Sequence, residues 1–134
     1  MSRENVEIVR RVIGALNRGD LDRALEGAAD DFVLDFSNSI GPAKGVYRGK
    51  RQFRDFWTTL HEDFDEVHWE PEEIIEVDES TLVVVGRIRG RGRGSGVNVD
   101  AVSATVWTII DGEGRSVKLY QSKAEALEAA GPSE

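Results

Sequence analysis

What the chain lacks narrows it first. It contains no cysteine, which excludes disulfides, thiolate chemistry and cysteine-ligated zinc together. Histidine is scarce: His61 and His68 are the only two, so soft ligands are few, and neither a metal nor another cofactor is expected. Positive charge is also in deficit, with 17 Lys+Arg against 25 Asp+Glu and a formal net charge of -8. Such a chain repels nucleic acid and anionic lipid unless its basic residues are segregated on one face. No stretch approaches the roughly 18 apolar residues of a membrane span, and Met1 is followed by a patterned helix rather than a leader. The expectation is a cytoplasmic chain with no nucleic-acid or membrane partner.

What the chain has is 134 residues, 40% of them hydrophobic, enough for one domain over residues 1–134 with its own core. Val6, Ile8, Val9, Val12, Ile13 and Leu16 recur at three- and four-residue spacing, which predicts a helix over Glu4 to Leu16 with one buried face. Gly19 suits a left-handed cap, and Asp20 can cap a second helix in which Leu21, Leu25 and Ala28 share a face. Phe32, Leu34 and Phe36 alternate with Val33 and Asp35, a strand pattern, and Ser37 to Gly45 reads as a loop. From Lys50, a stripe of Phe53, Phe56, Trp57, Leu60 and Phe64 predicts a third helix carrying most of the aromatic mass.

Strands follow almost to the end. Glu66 to Val77 and Thr81 to Arg91 meet at a turn centred on Asp78-Glu79-Ser80, which pairs Glu70 with Arg87, His68 with Arg89 and Glu66 with Arg91 on one face. Val67, Trp69 and Ile88 then share the other. Regular pairing would put Glu73 on the inward face with Trp69 and Ile75, whereas a bulge, which Pro71 favours, would turn it outward. The alternation of arginine and glycine from Arg87 to Arg93 continues an apolar strand and faces acidic residues, so it reads as a charge ladder and not as a disordered nucleic-acid tract. A glycine-rich tip at Arg91 to Gly96, a long strand at Val97 to Ile110, a turn at Asp111 to Gly114, a strand at Val117 to Tyr120 and a helix at Lys123 to Ala130 complete the chain. That order predicts an α+β fold: a cone-shaped, curved antiparallel sheet with the three helices of the N-terminal half packed on its concave face.

Asn17-Arg18-Gly19-Asp20 between the first two helices, Ala29-Asp30-Asp31-Phe32 entering the first strand, and Val46-Tyr47-Arg48-Gly49 entering the third helix occur in an informative order. With Trp107 to Gly112 and Leu119-Tyr120 near the end, they resemble the SnoaL-like group of the nuclear transport factor 2-like superfamily over nearly the full length. The resemblance implies a pocket inside the cone. It does not imply one reaction, because the superfamily includes isomerases, cyclases, epoxide hydrolases and non-catalytic binding or assembly domains. Ketosteroid isomerase, a worked case of tuned acidity, uses an aspartate base with an oxyanion hole of a tyrosine and a protonated aspartate. Laid on the shared anchors, those positions fall on Phe36, Val12 and either Val106 or Thr105, none of them a carboxylate, so that mechanism is not expected here. The Asp-Arg-Asp relay of epoxide-hydrolase relatives finds no match in spacing among Asp35, Asp100, Arg87 and Arg89.

The Asp/His acid-base pair of polyketide-cyclase relatives has its nearest analogue in Asp35 and His61, the candidate catalytic groups. Each has a plainer reading: alternation puts Asp35 on the face opposite Phe32, Leu34 and Phe36, and His61 at a helix end can be simply half-exposed. The candidate ligand-binding residues are Phe36, Tyr47, Phe53, Trp57, Thr105, Trp107 and Tyr120, which predict a small apolar or ring-containing ligand. Two functions remain open: a cofactor-independent acid-base enzyme (isomerase, cyclase or hydrolase) on a partly apolar metabolite, or a non-catalytic homodimeric binding or assembly module. A homodimer is expected through the outer sheet face, where Val83 and Val85 stand beside arginines.

Overall fold

A computed structural model describes residues 2–39, 44–94 and 98–131. Parts of the expected loop and glycine-rich tip, residues 40–43 and 95–97, lie outside the described residues. The elements are α1 (Ser2–Asn17), α2 (Leu21–Leu25), β1 (Ala28–Asp35), β2 (Val46–Arg48), α3 (Gly49–Asp63), β3 (Phe64–Glu76), β4 (Thr81–Gly92), β5 (Asn98–Ile110), β6 (Glu113–Tyr120) and α4 (Lys123–Ala130). Asp20 caps α2 by accepting a hydrogen bond from the Arg23 amide at 3.1 Å, and Gly19 takes the left-handed conformation, φ +76, that lets α1 stop and α2 start. Among the described residues no helix is long and apolar enough to cross a membrane.

Ala28 does not extend α2. The helix is only five residues long, and Gly27 breaks it. Ala28 instead opens β1 opposite Gly114, where the Gly27 carbonyl accepts the Gly114 amide at 2.8 Å. The short strand β2, which the sequence pattern alone did not show, pairs with the far side of β1.

The six strands form one curved α+β sheet in the order β2-β1-β6-β5-β4-β3. Every neighbouring pair is antiparallel except β1 with β6. A parallel pair needs a long crossover, and the segment from β2 through β5 supplies it. The β3–β4 register places Glu66 opposite Arg91, His68 opposite Arg89 and Glu70 opposite Arg87. It shifts between Pro71 and Glu73. Proline has no amide to give the ladder, so the strand bulges there, and Glu73 emerges outward to meet Lys123 of α4 at 2.9 Å. A Cβ at Gly86 would overlap the Glu70 carbonyl oxygen and lie 2.8 Å from the Pro71 Cα, so the bulge requires glycine across from it.

Alternation along β4 assigns the two faces. Leu82 and Val84 pack with Val9 and Ile13 of α1 and with Trp107 and Ile109 of β5. Phe53, Phe56 and Leu60 of α3 close the neighbouring part of the same side against Phe32 and Leu34. Val83 and Ala104 point the other way, where Ala126 of α4 covers them. The helices α1 to α3 therefore share the inner face, and α4 lies alone on the outer one. The expectation that Val83 would be presented for dimerisation is corrected by this helix: Val83 is fully buried within the chain.

Candidate ligand-binding site

The inner face does not close completely. Between α1, α2, α3 and the sheet lies a cavity of about 130 Å³. Helical spacing brings Ile8, Val12 and Leu16 to its wall from α1, strand alternation brings Phe32, Leu34 and Phe36 from β1, and the sheet adds Trp69, Val84, Thr105 and Trp107. One polar side chain of α1 fixes this geometry. The Asn17 amide donates to the Trp69 carbonyl and accepts from the Trp69 amide, each at 2.9 Å, which ties the end of α1 to β3 where Trp69 meets the cavity.

The polar atoms deepest in the wall are paired with one another. The indole Nε1 of Trp107 donates to the Thr105 hydroxyl at 2.8 Å, and both residues are buried. Ser103, two residues earlier on the same inward parity of β5, also lines the cavity opposite the bare Cα of Gly86. At another part of the wall the Arg11 guanidinium reaches Gly27, its Nη2 lying 3.1 Å from where a Cβ at that glycine would stand.

Of the residues singled out from the sequence, Phe36, Phe53, Thr105 and Trp107 lie on the wall. Tyr47 is not part of it: its ring packs edge-on against Phe56 at 5.1 Å. Trp57 stacks against Phe53 and Trp69, with ring centroids 6.5 and 6.0 Å away, and so backs the wall without forming it. His61 covers Trp57 at 4.4 Å, with Nδ1 3.0 Å from the Trp57 carbonyl one turn earlier. Tyr120 lies on the outer face in the cluster of Val83 and Ala126, its ring 5.4 Å below the Lys118 ammonium.

Asp35 is also on the outer face, paired in register with Lys118 and 3.7 Å from its ammonium. Partial burial pushes its carboxyl up, but the hydroxyl of Ser37 at 2.6 Å, the Ser37 amide at 2.9 Å and the Lys118 charge outweigh it and hold the group below the usual carboxylate range. Asp35 and His61 therefore lie on opposite sides of the sheet and are not brought together. Among the described residues no group of three or more His, Asp or Glu side chains could hold a metal ion.

The positions where ketosteroid isomerase carries its chemistry can now be placed. Val12 and Phe36 face the cavity, and of the two alternatives on β5, Thr105 faces inward while Val106 packs in the outer cluster. The arrangement offers a ligand an apolar wall, hydroxyls and a guanidinium; the one acidic residue among the described wall residues, Glu70, has its carboxylate paired with Arg89 at 3.4 Å, and no imidazole lies there.

The comparisons agree with this architecture. An NTF2-like protein of unknown function from Burkholderia pseudomallei K96243 superposes with a TM-score of 0.78 at 22% identity, covering 96% of this chain and 98% of the other. A polyketide cyclase candidate from Xanthomonas campestris pv. campestris gives 0.76 at 17% identity, covering 96% and 98%. A Mycobacterium tuberculosis protein solved in complex with estradiol-17β-hemisuccinate gives 0.75 at 14% identity, covering 90% and 95%. At these identities the likeness is one of fold. No functionally curated protein matches the sequence. A family model for the SnoaL-like domain does match it, over residues 9–117, a span that runs from α1 into β6, and the chain belongs to that family.

Proposed function

We propose that this protein binds a small, mainly apolar molecule in the cavity between α1 and the sheet, acting as a ligand-binding module and not as an acid-base catalyst. The observation that carries this reading is the character of the wall: apolar and aromatic side chains surround a space whose deepest polar atoms, Thr105 Oγ1 and Trp107 Nε1, already satisfy each other. A general acid or base must come within hydrogen-bond reach of its substrate, and the two groups best suited by sequence, Asp35 and His61, are engaged elsewhere. The M. tuberculosis relative in complex with a steroid ester supports small-molecule binding on this fold.

Size narrows the ligand. A cavity of about 130 Å³ is close to the engineered apolar cavity of roughly 150 Å³ that holds one benzene. It is below the range of about 300–1,000 Å³ common for drug-sized ligands. One ring or a short branched chain fits, and a steroid would require the helices to separate. Burying roughly 150 Å² of ring surface at about 25 cal/mol per Å² yields about 4 kcal/mol, a Kd near 1 mM before any polar contact is added.

Titration with indole, toluene and cyclohexanol, followed through emission of the wall residues Trp69 and Trp107, tests the reading. A saturable change is expected for the ring compounds, and Val84→Phe, which places a ring in the cavity, should remove it while the far-ultraviolet circular dichroism is retained. No saturable response from any of the three, or an unchanged response in Val84→Phe, would overturn the proposal.

A homodimer is the accompanying proposal, moved to the part of the outer face that α4 leaves open. Val102 is 53% exposed there beside the Arg87–Asp100 ion pair, which combines apolar area with charge as interfaces do. Sedimentation velocity at micromolar concentration should give a dimer that Val102→Asp dissociates; a wild-type monomer refutes it.

A further inference from the structure

The cavity wall carries one cation that the fold does not use. Arg87 also borders the cavity, but its side chain lies on the outer face and pairs with Asp100 at 3.3 Å, and Arg115 beyond the β5–β6 turn pairs with Glu113 at 3.1 Å. Arg11 forms no ion pair and no side-chain hydrogen bond among the described residues. Its guanidinium nevertheless stands in a defined place, against Gly27, where any larger residue would compete for its space. It makes no hydrogen bond to the Gly27 backbone, whose carbonyl accepts the Gly114 amide at 2.8 Å. Glu7 lies one turn earlier on α1 but makes no ion pair, and Glu113 is committed to Arg115. A guanidinium has five donors in a fixed planar fork that matches a carboxylate in two-point contact. Here that fork lies beside Ile8 and Val12, where the apolar wall meets the exposed flank of α1.

From this juxtaposition we infer that the ligand is an apolar acid: a single ring or short branched chain seated among Leu16, Phe32, Phe53 and Trp107, with a carboxylate held by Arg11 at Gly27. The inference rests on the cavity being a binding site, as proposed above, and names the class of molecule it takes. Electrostatics on the larger scale make it a demanding choice. A chain of net charge -8 disfavours anions in general, so acid selectivity in this cavity must come from a local cation. Because Arg11 is exposed, its contribution is screened by salt and is smaller than that of a buried pair.

The probes are 3-phenylpropanoate and its neutral isostere 3-phenylpropanamide, which share ring, spacer and shape. At low ionic strength the acid should bind about tenfold more tightly than the amide, the scale of a charge-assisted contact at a partly exposed site. That ratio should contract in about 1 M salt, where the Debye length falls to about 3 Å. Arg11→Gln should bring the ratio to about one, and Arg11→Lys, which keeps the charge and loses the fork, should leave an intermediate value. Thermal unfolding of each variant without ligand confirms that a folded protein is being compared. Equal binding of acid and amide to the wild type, or a ratio that survives Arg11→Gln, overturns the inference while leaving the cavity reading intact. Binding of neither probe, with no response to indole, overturns both.

Discussion

Along strand β4 the same backbone carries two surfaces, and they differ in how complete they are. On the outer side Arg91 reaches Glu66 at 3.7 Å, Arg89 reaches Glu70 at 3.4 Å and Asp100 at 3.5 Å, and Arg87 reaches Asp100 at 3.3 Å. Two of these contacts run straight across the register, Glu66–Arg91 and Arg89–Asp100, and two run diagonally, Glu70–Arg89 and Arg87–Asp100. Every arginine of that ladder has its counter-charge within the chain. On the inner side Leu82 and Val84 are packed against α1, but towards Gly86 the side chains stop filling the layer and the cavity begins. Protein interiors leave few voids larger than a water molecule, so the unfilled end of the inner face is the part of β4 that a ligand would complete. The two surfaces should also respond differently to mutation, and a ranking of substitutions along this one strand tests that difference.

The largest loss is expected at Leu82, which has no exposed surface and sits between Val9 and Trp107. Leu82→Ala should cost about 2–5 kcal/mol in urea unfolding, the usual range for a buried leucine that leaves a cavity. A cost under about 1 kcal/mol would mean that the inner layer is loosely packed throughout, and the distinction between its filled and unfilled ends would vanish. Gly86→Ala comes next, because its Cβ would meet the backbone of the Pro71 bulge and not a movable side chain. Overpacking of this kind costs roughly 1–3 kcal/mol. It should also weaken indole binding, since the bulge and Gly86 both lie on the cavity wall; a fully stable Gly86→Ala would show that β3 can flatten without cost.

How much of this was legible in the sequence follows the same division between faces. The ladder pairs of β3 and β4 could be read because their charges alternate on opposing strands. The turn at Asp78 to Ser80 alone does not set them: the pairs next to it, such as Glu76 with Leu82, are brought into that register only by the shift between Pro71 and Glu73. Asp35 was legible only in part: period-two alternation put it opposite Phe32, Leu34 and Phe36, where it meets Lys118, but the same residue also read as a candidate catalytic group. Tyr120 was not. Its face depends on the β5–β6 register, which pairs it with outward Ala104 after a shift between Thr108 and Ile109, and β6 begins at Glu113, earlier than the apolar pattern indicates. The side that α4 covers was equally hidden, since its eight residues LysAlaGluAlaLeuGluAlaAla have little amphipathic contrast. The cavity itself could not be read residue by residue. Ile8, Val12 and Leu16 look like any buried stripe, and only the three-dimensional shortfall of volume near Gly86 and Ser103 separates wall from core.

A smaller effect is expected at the outer edge of β1. The Asp35 carboxyl is held below its usual range, so the folded protein binds a proton there less readily than the unfolded chain does. The stabilisation is therefore fully present above the unfolded value of about 3.9 and is lost as pH falls through the lower, folded one. Asp35→Asn should lower stability at neutral pH and flatten the acid limb of the stability curve below about pH 4. An acid limb identical to that of the wild type would show that Ser37 and Lys118 do not favour the charged form in solution.

The smallest effect should come from the ladder. Arg89 makes two ion pairs, but its side chain is 50% exposed, as is much of Glu70 and Asp100 at 37% and 49%. Exposed pairs contribute about 0–1 kcal/mol, because water screens the charges and ordering two long side chains costs entropy. Arg89→Ala should therefore change urea stability by less than about 1 kcal/mol, and most of that difference should disappear in 1 M salt. The ladder's role is then one of register more than of energy: a one-residue slip of β3 against β4 would turn its charges toward the apolar inner layer, so the alternation disfavours that pairing. Charge reversal separates these roles. Arg89→Glu places a carboxylate beside Glu70 and Asp100, and it should cost clearly more than Arg89→Ala at low salt and about the same at high salt. If the alanine variant loses as much as Leu82→Ala, the outer face is as tightly coupled to the fold as the inner one, and the contrast drawn between the two sides of β4 is lost.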